Sequence, residues 1–179
     1  RGDASVVQFH STFLLDTNVF IEPKNRFYPF DIVPGYWDLL EKELGGNSVQ
    51  SIMKVYDEIA NSGDELSRWI KQQVGKTKFV DCTADQTVFS KYLEVSNYVM
   101  GLPNKKQNAK DEFLRNSVAD PWLVAYASVH SSCLVTMETS KATTQKKVSL
   151  VDVCNHFRIN HIDTFQFLRQ MQARLVLAP

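Results

Sequence analysis

The segment STFLLDTNVFIEP, residues 11–23, is the stretch that decides the fold. Its apolar residues 13–15 are typical of a buried β-strand, which is predicted to end at Asp16, Thr17 and Asn18. An exposed turn at this point would normally contain Gly or Pro. A buried carboxylate is costly unless it is paired or bound to a cation. The first question is therefore what lies opposite Asp16.

The composition is ordinary for a soluble globular protein and predicts a single domain over residues 1–179 with a substantial core. Lysines plus arginines equal aspartates plus glutamates at 20 each, so any binding to nucleic acid must use local patches. The three cysteines, Cys82, Cys133 and Cys154, form no C-x-x-C pair, which favours a reducing compartment over a disulfide framework or zinc site. No apolar run or signal-peptide pattern indicates a membrane. We expect a cytoplasmic protein.

Short apolar segments alternate with longer segments of helical periodicity. Strands are predicted at residues 13–15, 78–81, 133–136 and 159–162. Helices are predicted at residues 36–44, 48–60, 64–74, 85–100, 108–116, from 120 onward, 151–155 and 163–174. This alternation predicts an α/β fold, a three-layer α/β/α sandwich with a central parallel sheet.

Acidic residues stand where the predicted strands end. Asp16 ends the first strand, and Glu138 follows Thr136 at the end of another. Asp120, followed by Pro121, is predicted to be the N-cap of the helix that leads into that strand. Because ligands of an open parallel sheet bind at the carboxyl ends of its strands, we expect these acids to converge at one edge.

Four segments in a fixed order resemble the acidic motifs of the PIN-domain nucleases, which include the VapC-type toxins of bacterial toxin–antitoxin pairs. They are LLDTNVFI (14–21), VYDEIA (55–60), ADPWLVAYA (119–127) and LVTMETS (134–140). The resemblance implies that the catalytic and metal-binding acids are Asp16, Glu58, Asp120 and Glu138. The flanking polar positions would be Thr17, Asn18, Thr136 and Ser140.

The same resemblance implies a PIN-like fold, an RNA substrate and a cognate antitoxin protein, and it suggests a homodimer. Two departures from the family pattern suggest a divergent subfamily. The fourth acid is Glu138 where the family more often has Asp, and the segment 27–37 is longer and more aromatic than in typical small members.

The chemistry of the four acids is consistent with this resemblance. Clustered carboxylates repel one another, so some must be protonated unless a divalent cation neutralises them. Oxygen ligands favour Mg²⁺ or Mn²⁺. One or two such ions would activate water and stabilise the charge that develops on a phosphodiester.

Other interpretations of these residues remain open at the level of sequence. Asp16 can simply cap the helix that follows it. Asp57 and Glu58 flank opposite edges of one apolar helix face, so periodicity alone does not choose between them. Glu138 can be an ordinary loop residue, with Asp152 as the alternative fourth acid.

Two other functions are also compatible with the pattern. One is a haloacid-dehalogenase-like phosphohydrolase with Asp16 as nucleophile, which is weakened because Asn18 stands in the place of that family's second Asp. The other is a catalytically inactive PIN-like module that binds RNA or a protein.

Basic residues flank the two downstream acids and either contact RNA phosphates or are merely solvated. They are Lys105, Lys106, Lys110, Arg115, Lys141, Lys146 and Lys147. Trp37, Trp69 and Trp122 lie on apolar helix faces and are predicted to be core residues rather than base-stacking platforms.

Overall fold

A computed structural model describes residues 12–176 of the chain. The remaining residues of the predicted 1–179 domain lie outside the described range. The strands are β1 (Phe13–Leu15), β2 (Val49–Gln50), β3 (Cys133–Val135) and β4 (His161–Ile162). The helices are α1 (Asn18–Glu22), α2 (Pro34–Glu43), α3 (Met53–Ala60), α4 (Glu65–Trp69), α5 (Gln86–Met100), α6 (Gln107–Phe113), α7 (Asp120–His130), α8 (Leu150–His156) and α9 (Thr164–Gln170).

The described strands form one parallel sheet in the order β2-β1-β3-β4. Along this order, the connection from β1 leads to a neighbouring strand on one side, β2. The connections from β2 to β3 and from β3 to β4 lead toward the other side of the sheet. Because such crossovers are right-handed, their helices cover opposite faces. The fold is therefore the predicted three-layer α/β/α sandwich with a central parallel sheet.

The two central strands of the sheet, β1 and β3, are covered on both faces, which explains why they are continuous apolar runs rather than alternating ones. Leu14 and Leu15 are fully buried. The ring of Phe13 packs edge-on against that of Phe167 in α9, with 5.2 Å between the ring centroids. The three tryptophans are buried in the core, as predicted.

Two predicted elements are wrong. Residues 48–60 are not one helix, since Val49–Gln50 is a strand and the helix begins at Met53. The backbone N–H of Phe13 donates to Ser48 O at 2.8 Å, and Ser51 Oγ donates to Leu15 O at 2.8 Å. Pairing with β1 has thus overridden the helical spacing of the apolar residues.

The second error concerns residues 78–81, which were predicted to be a strand. Lys76–Lys78 is a 3₁₀ turn, and only Val80 pairs with the chain beside it, through a single bridge to Ile52. The predicted helix of residues 64–74 does occur, but its second half, Ile70–Val74, is wound as a π-helix.

Among residues 12–176 no helix is both long enough and apolar enough to cross a membrane. Cys82, Cys133 and Cys154 are free thiols, and all are buried.

Candidate active site

Asp16 lies at the carboxyl end of β1 with 1% of its surface exposed. Its backbone N–H donates to Val135 O of β3 at 3.1 Å, which continues the sheet pairing up to the acid. Asn18 Nδ2 at 3.1 Å and Thr136 Oγ1 at 2.7 Å both donate to Asp16 Oδ2. Asp16 Oδ1 accepts no hydrogen bond from the described residues, so half of this carboxylate remains available to a ligand.

The environment of Asp16 raises the pKa of its carboxyl group to about 6. Burial is the main cause, because it withdraws water from the charged form. The hydrogen bonds from Thr136 and Asn18 lower this pKa, while the negative charges of Glu138 and Glu58 raise it. The two glutamates are therefore close enough to destabilise the charge on Asp16.

Asp120 is the first residue of α7 and is half-buried. Ala119 occupies the N-cap position, and no side chain caps this helix, so the prediction that Asp120 is an N-cap is wrong. The Asp120 carboxylate accepts no hydrogen bond from any residue within 12–176. Burial raises its pKa well above the usual value, and the charges of Asp16, Glu138 and Glu58 add to the effect.

Glu58 connects the first strand to the start of α7. Its Oε1 accepts the Ala119 N–H at 2.8 Å, and the Thr17 hydroxyl donates to its Oε2. Its pKa is raised, chiefly by burial. The neighbouring Asp57 is exposed, so the structure brings Glu58 and not Asp57 to the other acids.

Glu138 is held at the start of α8. Its Oε1 accepts a hydrogen bond from Lys147 Nζ at 2.8 Å, and its Oε2 accepts the Leu150 N–H at 3.1 Å. Ser149 caps the same helix end, with its hydroxyl accepting the Asp152 N–H at 3.2 Å. The N-terminal end of a helix stabilises a carboxylate at this position.

Asp152, the alternative fourth acid, has a different role. Its carboxylate accepts the Ser140 hydroxyl and, at 2.9 Å, the Lys141 N–H, so it organises the loop after Glu138. Ser140, which was predicted to flank the acids, bonds to Asp152 instead of to them. Glu138, rather than Asp152, raises the pKa values of Asp16 and Asp120.

The four predicted acids therefore share one edge of the sheet, but they differ in which oxygens are available. Both oxygens of Glu58 and both of Glu138 already accept protein hydrogen bonds. Asp16 Oδ1 and the Asp120 carboxylate do not. Within residues 12–176 no group of three or more His, Cys, Asp or Glu side chains is drawn together tightly enough to hold a metal ion as it stands.

The donor set nevertheless fits a hard divalent cation. It consists of carboxylate oxygens alone, which suit Mg²⁺ and Mn²⁺ better than softer metals. The raised pKa values of Asp16 and Asp120 show that the protein's own donors leave their charge incompletely compensated. Asp16 and Asp120 are accordingly the residues able to bind such a cation directly.

The predicted RNA-contacting residues divide into two groups. Lys105 and Lys110 are buried, and their ammonium groups donate to the backbone carbonyls of Lys141, Thr144 and Met100. Both ammonium groups are thus engaged in holding backbone segments together and are not free to contact RNA phosphates. The remainder are exposed, namely Lys106, Arg115, Lys141, Lys146 and Lys147.

Sequence reasoning missed one basic residue beside the acids. Arg26 lines a cavity of about 370 Å³ together with Asn18, Glu138, Lys141 and Lys147. Arg26 lies in a π-helical segment, Pro23–Phe27, that continues α1, and Glu22 holds it through an ion pair of 3.2 Å. Because Pro23 and Pro29 are typical of an irregular connection, the sequence gives no reason to expect a helical i, i+4 pair between Glu22 and Arg26.

Comparison with known proteins places this fold and its acids in a family. A family model described as a domain of unknown function, DUF4411, matches residues 13–175, which include all four acids. The chain belongs to the DUF4411 family. No curated protein and no solved structure matches it.

Proposed function

We infer that this DUF4411 chain is a PIN-type endoribonuclease that depends on Mg²⁺ or Mn²⁺. The observation that carries the proposal is the presence of Asp16 and Asp120 at one edge of the sheet, two acids with raised pKa values and with oxygens that accept no hydrogen bond from a described residue. Their order along the chain, with Glu58 and Glu138, supports the resemblance to PIN nucleases. A cation bound by these acids would supply charge stabilisation to a phosphodiester under attack by water.

The roles of the chain's own residues follow from their contacts. Asn18 and Thr136 fix Asp16 Oδ2 and so orient the carboxylate. Glu58 and Glu138 act in support, as acids that orient water or bind the cation after releasing a protein donor. Lys141, Lys147 and Arg26 line the cavity next to Glu138, where cationic groups suit the RNA backbone.

The resemblance to VapC-type toxins supports a biological setting for this activity. We propose that the protein is the toxin of a toxin–antitoxin pair in the cytoplasm, with a cognate antitoxin protein as partner and a homodimer as a possible assembly.

A second candidate is an inactive PIN-like module that binds RNA or a protein. It is favoured by the ion pair between Lys147 and Glu138, because an acid that already binds an ammonium group is less available to a metal ion. The phosphohydrolase with Asp16 as nucleophile is not proposed, because the side chain at position 18 is an amide that donates to Asp16 and cannot serve as a second acid.

The test is RNA cleavage in Mn²⁺ by the native protein, Asp120→Asn and Asp38→Asn. Asp38 is an exposed acid of α2 and serves as the matched control. Asp120→Asn should lose more activity than the about 10- to 100-fold typical of losing an outer-shell partner, because Asn supplies no charge to the cation. Since the Asp120 carboxylate caps nothing, the unfolding free energy of Asp120→Asn in EDTA should stay within about 1 kcal/mol of native or rise, because removing the charge relieves repulsion.

The controls separate the two candidates. Asp38→Asn should cleave like the native protein. If Asp120→Asn also cleaves like native, the proposed active site is wrong. If the native protein binds RNA but shows no metal-dependent cleavage, the inactive module is correct.

A further inference from the structure

A second cavity, of about 390 Å³, lies at the opposite edge of the sheet from the acids. Ser132 directly precedes β3 and Asn160 directly precedes β4, so this edge carries the amino ends of the strands. The four acids follow strand ends or adjoin them at the other edge. The cavity is therefore separate from the candidate active site, and its size is within the range of small-molecule sites.

Two serine hydroxyls in the cavity wall have no partner. Ser132 is 3% exposed, and neither its Oγ nor that of Ser128 makes a hydrogen bond to any described residue. Buried polar groups in folded proteins are normally hydrogen-bonded, and each exception calls for an explanation. Both residues line the cavity, so a ligand there is able to accept hydrogen bonds from them.

The charged groups of the cavity are basic. Lys91 and Arg158 line it, and none of the nine lining residues is acidic. Lys91 is paired with Glu94 and lies over the ring of Phe157 at 6.0 Å from its centroid. Arg158 is exposed and has no ion pair or hydrogen bond from its side chain within the described part of the chain. A guanidinium with serine hydroxyls beside it is suited to the oxygens of a phosphate group.

The end of α7 limits the ligand further. The cavity wall includes Ala127, Ser128 and Ser131 at this end. Ala127 O already accepts the N–H groups of Ser131 and Ser132, so the carbonyls left without a helical partner are those that follow it. These carbonyls repel a bare anion but accept hydrogen bonds from hydroxyl groups. A ligand that carries both a phosphate and hydroxyl groups can bond to the basic side of the cavity and to the helix carbonyls. A simple inorganic anion can bond only to the basic side.

We propose that this cavity binds a phosphate monoester of a sugar or nucleoside. Arg158 and Lys91 hold the phosphate, and the hydroxyls of Ser128 and Ser132 donate to its oxygens. Such a group belongs either to a free phosphorylated metabolite or to the 5′-phosphate end of an RNA strand, and the two sources share the same chemistry.

Binding is measured by calorimetry in EDTA, so that the result does not depend on nuclease activity. The probes are AMP, adenosine, and an oligoribonucleotide with a 5′-phosphate or a 5′-hydroxyl. The proteins are native, Arg158→Gln, Ser132→Ala and, as matched control, Arg68→Gln, which removes an exposed arginine of α4.

We expect AMP to bind and adenosine not to bind, and the 5′-phosphorylated strand to bind more tightly than the 5′-hydroxyl strand, which keeps only its contacts at the acid edge. Arg158→Gln and Ser132→Ala should each weaken binding of the phosphorylated probe at least tenfold, whereas Arg68→Gln should leave it unchanged. Binding of AMP assigns the site to a free metabolite, and binding of the 5′-phosphorylated strand alone assigns it to an RNA end. The proposal is overturned if no phosphorylated probe binds, if adenosine binds as well as AMP, or if both variants bind like native.

Discussion

At the scale of single residues, the central feature is a carboxylate that the protein buries and only half satisfies. Asp16 receives two hydrogen bonds, both on the same oxygen. At neutral pH it is ionised next to Glu58 and Glu138, since its pKa is about 6. The ionised Asp16 therefore destabilises the folded state as long as no cation compensates its charge.

The first prediction follows from the raised pKa of Asp16. Its carboxyl binds a proton more tightly in the folded state, so its contribution to stability is present below pH 4 and is lost as the pH rises through about 6. In EDTA, the unfolding free energy of the native protein minus that of Asp16→Asn should fall by about 2 kcal/mol between pH 4 and pH 7.

Chemical denaturation at several pH values measures this difference. Subtracting the variant removes opposite contributions from groups such as Asp81, whose pKa is lowered by hydrogen bonds from Thr83. A difference that is flat or rises with pH would mean that Asp16 is not charged at a cost in the folded protein.

The second prediction concerns Lys147. Its ammonium group donates to Glu138 at 2.8 Å, and its charge also acts on Asp120, so it competes with a divalent cation for the same acids. Lys147→Met should increase the affinity for Mn²⁺ by about tenfold, as measured by calorimetry or by the loss of the free Mn²⁺ signal in electron paramagnetic resonance. Lys146→Met removes an exposed neighbouring charge and should change the affinity much less. Weaker Mn²⁺ binding in Lys147→Met would mean that this lysine supports the site.

At the scale of elements, the ends of helices organise the acids. The Ala119 N–H at the start of α7 donates to Glu58, and the Leu150 N–H at the start of α8 donates to Glu138. Both helices therefore direct their positive ends toward a carboxylate. The two glutamates tie the helices to the sheet edge, which leaves the two aspartates for a ligand.

The third prediction tests whether the start of α8 is part of the site. Ser149→Ala and Asp163→Ala each remove an N-cap, from α8 and α9 respectively, and each should lower the unfolding free energy by about 1 kcal/mol. Only Ser149→Ala should also lower RNA cleavage, because only α8 holds Glu138. Equal cleavage by the two variants at equal loss of stability would remove α8 from the site.

The elements that sequence reasoning misjudged are those with the least local signal. Val49–Gln50 is a strand of two residues, too short to show alternation, and Val49 also matches the helical spacing that follows it. The long helices, such as Gln86–Met100, were predicted correctly because several turns of apolar spacing and an Asp cap agree. Residues Val49–Gln50 form a strand because they pair with β1, a segment distant in the sequence, which local spacing does not reveal.

At the scale of the whole molecule, the topology brings distant segments to one edge. The convergence of Asp16, Asp120 and Glu138 could be predicted from the sequence, because parallel strands end together at one edge of the sheet and ligands bind there. The Lys147–Glu138 pair, Arg26 beside the cavity, and the burial of Lys105 and Lys110 could not be predicted. These contacts depend on the conformation of loops, and loop sequences have no periodicity from which a conformation can be predicted.

The most direct test of the account is to locate Mn²⁺ in a crystal of the protein by anomalous scattering. We expect a peak at the carboxyl edge of the sheet that contacts both Asp16 Oδ1 and the Asp120 carboxylate and that disappears in Asp16→Asn. A saturating Mn²⁺ soak that gives no peak between these two acids, or a peak retained in Asp16→Asn, would contradict it.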